Sequence, residues 1–517
     1  MLVPTFSPTM QRAVAFLLAS FLSPFIAAAT HRQHYGGFPE HVFDPLNQNA
    51  PADQSPLRPP PPRVPDVFDI FVGISAFRDG VRCGYSLFTA FANADHPNRV
   101  FVGVVDQTNA GDAACLDEYC KLAAAHWPDD EAEGGTCKFK DHVRIDARAA
   151  TASRGPVVAR HEQQQLIQDE EFCLQIDAHS KFLDHWDTEL VRDWSRAQNE
   201  MAVLTTYPLP FEYMGPGETI PIQKASFLCD YIPRATPRDV PVIRGWSLIE
   251  YAETPQMSAL WGGCLSFSKC HAETRVPVDK HMTWVFWGEE YLRSHQLWTQ
   301  GYDLYAPSRH GSVVFHNWST DAAKKSFAEN QDNTAVHATE RESSYNRLRM
   351  MLKLPFEGPV DATEVEIYNA PSVRTTDQFL AFSGISQTNV SADHHNCHHQ
   401  LHWVPYAVPE IVEQFLPGWH MRPPSNYGLR NVPESDDPES DDKRQDDDDE
   451  HPHNNNASTV KILALLESMH HQMQTQKSQL GDYYLVLGGI FVVSGLVAFR
   501  TIYGRPTHRR LENVATV

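Results

Sequence analysis

The sequence predicts an α/β domain with a largely parallel central sheet. Short apolar runs alternate along the chain with stretches of helical periodicity. The runs are almost continuously apolar, as in strands that are buried on both faces. Alternation of this kind is typical of parallel sheets that carry helices on their faces. Such sheets bind ligands at the carboxyl ends of their strands, so polar residues at those positions are candidates for a functional site.

The elements of this domain follow one another from residue 69 onward. Runs rich in Val, Ile, Leu and Phe predict strands over 69–75, 99–105, 172–176 and 202–206. Amphipathic stretches predict helices over 83–93, 157–169 and 188–198. The strand over 172–176 is followed directly by Asp177, which places a carboxylate at its carboxyl end.

Composition excludes two classes of protein. The chain has 517 residues, and its 43 Lys and Arg against 65 Asp and Glu give a formal charge of −22. This acidic balance argues against a general nucleic-acid binder, and we expect no nucleic-acid partner. A hydrophobic content of 42% excludes a polytopic membrane protein but allows one or two spans, and 37 prolines predict extended linkers.

The N-terminal segment has the layout of a secretory signal peptide. One arginine, Arg12, precedes an apolar run, and Ala27–Ala29 then offer a cleavage site, which predicts a signal peptide over 1–29. Residues 30–65 lack apolar periodicity and contain Pro59–Pro62, which predicts an extended Pro-rich stem. The globular domain is expected over 66–420.

The C-terminal segment predicts a membrane anchor. An acidic, disordered spacer is expected over 421–458, and a helix over 459–480 is either membrane-proximal or a short dimerising coil, so a homodimer is an option. The apolar run 483–499 predicts a transmembrane helix of roughly 26 Å. Arginines in the tail 500–517 place that tail in the cytosol and the rest of the chain in the lumen of the secretory pathway, in the Golgi or the ER.

The lumenal location allows the cysteines to form disulfides. All nine cysteines lie between residues 83 and 397, and their spacing does not determine how they pair. Their odd number leaves at least one thiol unpaired or intermolecular. Acceptor sequences for N-glycosylation begin at Asn317, Asn389 and Asn456.

The most informative motif is the sequence Asp177-Ala178-His179. Residues i and i+2 at a strand end point to the same side, so the carboxylate and the imidazole converge. This pair suits a divalent ion such as Mn²⁺, which also binds diphosphate oxygens. Further polar residues at strand ends are candidates for ligand binding: Ser75, Arg78, Asp79 and Asp106.

Several motifs resemble a known family. Asp177-Ala178-His179 is similar to the metal motif of GT-A glycosyltransferases such as the polypeptide α-GalNAc transferases. The stretches 261–267, 286–290, 297–302 and 314–316 follow the order of the sugar-binding segment of those enzymes. Residues 70–75, 175–179, 288–290, 372–375 and 382–385 resemble the UDP-GlcNAc:protein α-GlcNAc transferases more closely. The resemblance covers roughly residues 67–390.

The resemblance implies a GT-A fold and a metal-dependent, retaining transfer of GlcNAc from UDP-GlcNAc. The acceptor would be Ser, Thr or hydroxyproline of a protein. The implied catalytic residues are Asp177, His179, Glu289 and Glu290, and the implied metal ligands are Asp177, His179 and His316. The nucleotide-sugar site would comprise Ser75, Arg78, Asp79, Asp106, Arg160, Gly262, Gly263 and Trp287.

Alternatives remain for the function and for single residues. The donor could be UDP-GalNAc or UDP-Gal, or the chain could be an inactive, glycan-binding membrane glycoprotein on the same fold. Arg160 could instead pair with Glu162, and His316 could be a structural histidine. Glu289 and Glu290 could serve the dipole of a helix, and which of the two faces the site is open.

Overall fold

A computed structural model describes residues 31–34, 41–43, 47–128, 137–219, 224–235, 238–243, 247–250, 252–319, 325–330, 334–369, 372–387, 397 and 400–422. The chain divides into two units, Met1–Tyr427 and Gly428–Val517, and all described residues belong to the first. The predicted signal peptide, the membrane-proximal helix, the transmembrane helix, the cytosolic tail and all but residues 421–422 of the acidic spacer lie outside the described residues. Among the residues that are described, no helix has the length and apolar character needed to cross a membrane.

An eight-stranded sheet lies at the centre of the first unit. In spatial order its strands are β13 (Gln256–Ser258), β15 (Asp303–Ala306), β8 (Ala202–Thr205), β14 (Leu265–Lys269), β6 (Phe172–Asp177), β3 (Ile70–Phe77), β4 (Val100–Thr108) and β5 (Val143–Ala149). The pairs β3–β4, β3–β6, β4–β5 and β8–β15 are parallel. The strand β14 runs antiparallel between β6 and β8, and β13 runs antiparallel to β15. The predicted α/β class with a mostly parallel sheet is confirmed.

The remaining strands form three smaller sheets. They are β1 (His31–His34), β2 (His41–Phe43), β7 (Ser180–Phe182), β9 (Lys224–Phe227), β10 (Tyr231–Ala235), β11 (Val240–Ile243), β12 (Ser247–Glu250) and β16 (Val314–His316). They pair in the orders β2-β1-β12-β9, β10-β11 and β16-β7.

The helices lie between the strands and after the last strand. They are α1 (Gly80–Ala92), α2 (Cys115–His126), α3 (Pro156–Gln164), α4 (Trp186–Arg196), α5 (His271–Arg275), α6 (Glu289–Thr299), α7 (Ala335–Met351), α8 (Val365–Tyr368), α9 (Thr376–Ser383) and α10 (Glu410–Phe415). Short 3-10 turns occupy Pro97–Arg99, Lys140–His142, Ala150–Ala152, Phe211–Tyr213 and Phe327–Asn330.

The predicted strands and helices agree with these elements except at their ends. The helix predicted to reach residue 169 ends at Gln164. After it, the amides of Gln165, Leu166 and Ile167 donate to carbonyls three residues earlier, so the chain tightens into turns before β6. The central strands are buried on both faces, as their continuous apolar character predicts. Adjacent residues of a strand point to opposite faces, and Phe71 and Val72, Val104 and Val105, and Cys173 and Leu174 are all at most 3% exposed.

Strand pairing brings distant segments to one end of the sheet. The first residue of β14, Leu265, pairs with Ile176, so the residues before β14 lie beside the carboxyl end of β6. In the small sheet, His316 pairs with Ser180, so the end of β16 reaches the same place. The antiparallel direction of β14 is therefore what places residues 262–264 next to Asp177.

Eight of the nine cysteines form disulfides. The pairs are Cys83–Cys115, Cys120–Cys137, Cys173–Cys270 and Cys229–Cys397. Cys264 is the free cysteine, in agreement with the odd count. The Cys173–Cys270 bond links β6 to the residue that follows β14, and so ties together the two strands that lead to the site.

The described part of the predicted Pro-rich stem contacts the domain. The side chain of Gln48, which is 4% exposed, donates to the carbonyl of Pro255 and accepts from the amide of Met257, each at 2.7 Å. The backbone carbonyl of Gln48 also accepts from the amide of Trp403. Farther along, the carbonyl of Pro60 accepts from the amide of Glu200. Residues 47–60 are thus hydrogen-bonded to the folded unit at both ends of the segment.

We expect Gln48→Ala to lower the free energy of unfolding by about 1–3 kcal/mol, because it leaves a buried amide and a buried carbonyl without their partners. The measurement is chemical denaturation of the purified protein. Gln54→Ala is the matched control, since Gln54 is an exposed glutamine of the same segment. Equal stability of the two variants would contradict a contribution of the Gln48 side chain to the stability of the fold.

Candidate active site

Three potential metal ligands meet at the carboxyl end of β6. Asp177 is the last residue of β6, and its Oδ2 lies 3.1 Å from Nε2 of His316, the last residue of β16. One ligand atom each of Asp177, His316 and Cys264 lies within 4.8 Å of the other two. The ring of His179 is adjacent, with its centroid 4.6 Å from that of His316. The structure thus brings together the three predicted metal ligands and adds a thiol.

The chemistry of His179 fits a metal site. Its Nδ1 lies 3.0 Å from Oδ2 of Asp79, whereas its Nε2 is buried and has no hydrogen-bond partner among the described residues. When Nδ1 carries the proton and donates to Asp79, the lone pair of Nε2 is free for a cation. Histidine ligands of metals commonly donate their second nitrogen to a carboxylate in this way.

Arg160, on α3, connects Asp177 to the start of α6. Its Nη1 donates to Oε1 of Glu289 at 2.7 Å, and its Nη2 lies 3.8 Å from Oδ1 of Asp177. The alternative partner Glu162 is wrong, because Glu162 pairs with Arg148. A Cβ atom on Gly263 would lie 2.6 Å from Nη2 of Arg160, so glycine at this position makes room for the guanidinium.

Glu290 is held by two donors. Its Oε1 accepts from the amide of Gly263 at 2.8 Å, and its Oε2 accepts from the hydroxyl of Tyr207. Burial, together with the charge of Glu289, raises the pKa of Glu290 to about 7, against the opposing effect of the Tyr207 hydrogen bond. Glu290 is therefore protonated over much of the acidic range.

The other ionisable groups of the site are shifted by burial and by one another. Burial tends to raise the pKa of Asp177, but the hydrogen bond and charge of His316 outweigh this effect and hold the pKa well below its usual range. Burial raises the pKa of Glu289, and the charge of Arg160 opposes the shift. Burial tends to lower the pKa of Arg160, but the charges of Glu289 and Asp177 reverse this and raise it. Asp177 and Arg160 are both charged at neutral pH.

The predicted nucleotide contacts divide into two sets. Ser75 lies beside Asp177 in the sheet, and its hydroxyl donates to Oε1 of Gln163 at 2.9 Å. Asp79 accepts from Arg82 as well as facing His179. These two residues border the site.

The second set is engaged by other partners. Arg78 donates to Asp112 at 2.8 Å and to Glu329 at 2.7 Å. Asp106 is buried, and its Oδ2 accepts a hydrogen bond from the amide of Cys115 at 2.8 Å. This bond gives the first backbone amide of α2 a partner. These hydrogen bonds connect Asp106 to a helix start and Arg78 to two neighbouring carboxylates.

Trp318 contacts the site directly, whereas the predicted contact Trp287 lies two residues before Glu289 and contacts Tyr345. Trp287, just before α6, is 43% exposed, and its amide donates to the hydroxyl of Tyr345 at 3.3 Å. The ring of Trp318 lies 4.0 Å from that of His316. The Thr205 hydroxyl accepts from the amide of Gly262 at 2.9 Å and fixes the loop before β14.

The sequence-based reasoning missed Cys264 and Tyr207 as site residues. A signal existed for each of them. Cys264 directly follows the two glycines of the predicted site, and the odd cysteine count required a free thiol. Tyr207 follows β8 at its carboxyl end, where a parallel sheet places its ligand-binding residues.

We expect Glu290→Gln to become more stable relative to the unsubstituted protein as the pH rises from about 5 to about 8. A carboxyl whose pKa is raised to about 7 by folding destabilises the folded state above the pKa of the unfolded chain, and the cost is complete above pH 7. Glutamine does not titrate, so the variant avoids this loss of unfolding free energy, which amounts to about 3 kcal/mol at most. The measurement is the difference in melting temperature between the two proteins at each pH.

The matched control is Glu366→Gln, at an exposed glutamate on α8. A difference in melting temperature that is the same at pH 5 and pH 8 for Glu290→Gln would contradict the raised pKa.

Comparison with solved structures gave matches of low similarity. A crystal structure of GalNAc-T7 with UDP, GalNAc and Mn²⁺ has a TM-score of 0.37 and 12% identity, over 55% of this chain and 49% of that chain. The mannosyltransferase PcManGT from Pyrobaculum calidifontis in complex with GDP-Man and Mn²⁺ has a TM-score of 0.33 and 10% identity, over 64% and 77%. TarS 1–349 of S. aureus has a TM-score of 0.30 and 9% identity, over 55% and 72%. This chain spans about half the length of the GalNAc-T7 structure, and similarities this low carry no argument about activity.

Comparison of the sequence with protein-family models identifies the family of this chain. A search of curated proteins found no match. The model of the family "Glycosyltransferase (GlcNAc)" matches residues 69–389, which is more than half of the chain. The matched segment contains β3, β6, β14 and β16 and every residue of the site described above. The chain therefore belongs to the Glycosyltransferase (GlcNAc) family.

Proposed function

We propose that this glycosyltransferase moves GlcNAc from UDP-GlcNAc to a hydroxyl group of Ser, Thr or hydroxyproline in a protein acceptor. The reaction retains the anomeric configuration and depends on a divalent cation such as Mn²⁺. The observation that carries this proposal is the meeting of Asp177, His179 and His316 at the carboxyl end of β6, beside the Arg160–Glu289 ion pair.

The three predicted ligands have suitable chemistry for a divalent cation. Asp177 offers a carboxylate that stays ionised, and His179 offers a buried nitrogen without a hydrogen bond among the described residues. His316 approaches Asp177 with Nε2. A cation held by these residues would stabilise the negative charge that develops on the leaving diphosphate.

Glu289 is the better candidate of the two glutamates for a contact with the sugar. Both oxygens of Glu290 accept hydrogen bonds, one from Gly263 and one from Tyr207. Glu289 uses Oε1 for Arg160, and its Oε2 has no hydrogen bond among the described residues. Glu290 then has a positioning role, because it fixes the loop before β14 against α6. Arg160 orients Glu289 and balances part of the negative charge of the site.

GlcNAc is the proposed donor sugar because the description of the matched family names it. The acceptor class is proposed from the resemblance of the motifs to protein α-GlcNAc transferases. UDP-GalNAc and UDP-Gal are the competing donors, and the inactive, glycan-binding glycoprotein is the competing function.

We also propose that the enzyme works in the lumen of the secretory pathway, anchored by the helix predicted at 483–499. Four disulfides support an oxidising compartment, since such bonds are rare in the cytosol. Protease added to sealed vesicles should then remove only the tail after residue 499. Digestion of the whole chain would contradict the lumenal location.

We expect Asp177→Asn to lower the transfer rate by on the order of a hundredfold or more, because the change removes the charge that holds the cation. The melting temperature without ligand should also fall, because Asp177 pairs with His316 and lies 3.8 Å from Arg160. The loss of transfer is assigned to the cation when the variant remains folded at the assay temperature. The measurement is GlcNAc transfer from UDP-GlcNAc with Mn²⁺ and after chelation, beside the melting temperature. Asp184→Asn is the matched control, because Asp184 is an exposed aspartate shortly after β7.

The same assay distinguishes the alternatives. It should be run with UDP-GlcNAc, UDP-GalNAc and UDP-Gal and with peptides that carry Ser, Thr or hydroxyproline. A higher rate with UDP-GalNAc or UDP-Gal would replace the proposed donor. Full activity of Asp177→Asn would contradict the proposed metal site. An unsubstituted protein that transfers no sugar would favour the glycan-binding alternative.

A further inference from the structure

We infer that Cys264 is a ligand in the cation site, which therefore prefers a thiophilic divalent cation such as Zn²⁺ or Co²⁺ to Mn²⁺. The inference rests on the proposed function in so far as it concerns the same cation site. The ligands of the proposed function supply only oxygen and nitrogen atoms. The set inferred here supplies one oxygen, one nitrogen and one sulfur atom. These three come from Asp177, His316 and Cys264.

The backbone places the thiol at the site. Cys264 immediately precedes β14, and the antiparallel pairing of Leu265 with Ile176 sets it beside the end of β6. The preceding amide of Gly263 is bonded to Glu290, and the amide of Gly262 is bonded to Thr205. Hydrogen bonds of the two preceding residues and the strand pairing of the following residue thus hold the backbone of Cys264 in place.

The distances are compatible with coordination. Ligand atoms of Asp177, Cys264 and His316 lie within 4.8 Å of one another. Bonds of about 2.0–2.3 Å to one cation would place these atoms roughly 3.5 Å apart. Side-chain movements on the order of 1 Å would close that difference. Three protein ligands leave further positions of the cation open, as in catalytic zinc sites, and diphosphate oxygens can occupy them.

The thiol of Cys264 is in no disulfide, and its side chain faces Asp177, the carboxylate of the same ligand set. The other eight cysteines of the chain are paired with one another in four disulfides. A cysteine binds a divalent cation as the thiolate and releases its proton to the solvent. Thiolates favour zinc and similar soft cations, whereas Mn²⁺ prefers carboxylate and other oxygen ligands. Replacing the sulfur by oxygen should therefore shift the preference towards Mn²⁺.

The nearby His179 does not replace Cys264 in this ligand set. Its Nδ1 is engaged with Asp79, and the ring lies against that of His316. The free Nε2 of His179 can add a second nitrogen, but the sulfur atom is what distinguishes the preference for one cation over another.

The test is a titration of the purified full-length protein with Co²⁺ without added reductant, so that the disulfides remain intact. Binding should produce a sulfur-to-cobalt charge-transfer band in the near ultraviolet together with cobalt d–d bands in the visible range. Cys264 is the one free thiol among the nine cysteines, so a sulfur-to-cobalt band in the unsubstituted protein reports Cys264. The melting temperature of Cys264→Ser is measured beside the spectra, so that loss of the band is compared in a folded variant. In Cys264→Ser the charge-transfer band should disappear while the d–d bands remain.

A second measurement uses the transfer rate. The ratio of the rate with Co²⁺ or Zn²⁺ to the rate with Mn²⁺ should fall at least tenfold in Cys264→Ser. The control Asp184→Asn should keep both the charge-transfer band and the ratio.

The outcomes separate this inference from the proposed function. An active enzyme that binds Co²⁺ without the charge-transfer band, or that binds none, overturns the cysteine ligand and leaves the transferase in place. Persistence of the band in Cys264→Ser overturns it as well. A protein that shows the band but transfers no sugar supports the ligand set and contradicts the proposed function.

Discussion

The site depends on one buried arginine. Arg160 contacts Glu289 at 2.7 Å and Asp177 at 3.8 Å, and these carboxylates come from two elements that are far apart in the sequence. Several charges are tolerated in a buried place only when they are paired, and removal of one partner typically costs about 3–5 kcal/mol. The absence of a side chain at Gly263 makes room for the guanidinium. Arg160 on α3, Glu289 on α6 and Gly263 in the loop before β14 are thus in mutual contact, and a change at any one of them would disturb the others.

The same cluster has the electrostatic character that a cation site requires. Asp177 and Glu289 both face the guanidinium of Arg160, Asp177 also pairs with His316, and Glu290 adds a further negative charge as the pH rises through about 7. A bound divalent cation would compensate the remaining charge of Asp177. The predicted cation ligands Asp177 and His179 and the thiol of Cys264 thus lie in one place. A leaving diphosphate would need positive charge there.

Covalent bonds hold the strands of the site in their positions. The disulfide between Cys173 and Cys270 connects β6 with the residue after β14, across 97 residues of sequence. In the denatured chain such a bond removes conformational entropy, and bonds of this kind typically stabilise a protein by about 2–4 kcal/mol. The register that places Leu265 beside Ile176 is supported at the far end of the two strands, away from the site. The free thiol of Cys264 lies at the opposite end of these strands, at the site.

The sequence by itself determined the local features of this protein. Apolar runs bounded by polar residues predicted β3, β4, β6 and β8, because the burial of both faces of a parallel strand requires such runs. It also placed Asp177 and His179 together, since residues two apart at a strand end share a side. Only the tertiary structure decided that Arg160 pairs with Glu289, 129 residues away, and not with Glu162. It alone decided that Cys264 is the free thiol and that Gln48 is buried against the domain. These contacts depend on the antiparallel insertion of β14 and on long-range packing, and local periodicity carries no information about which distant segments become neighbours.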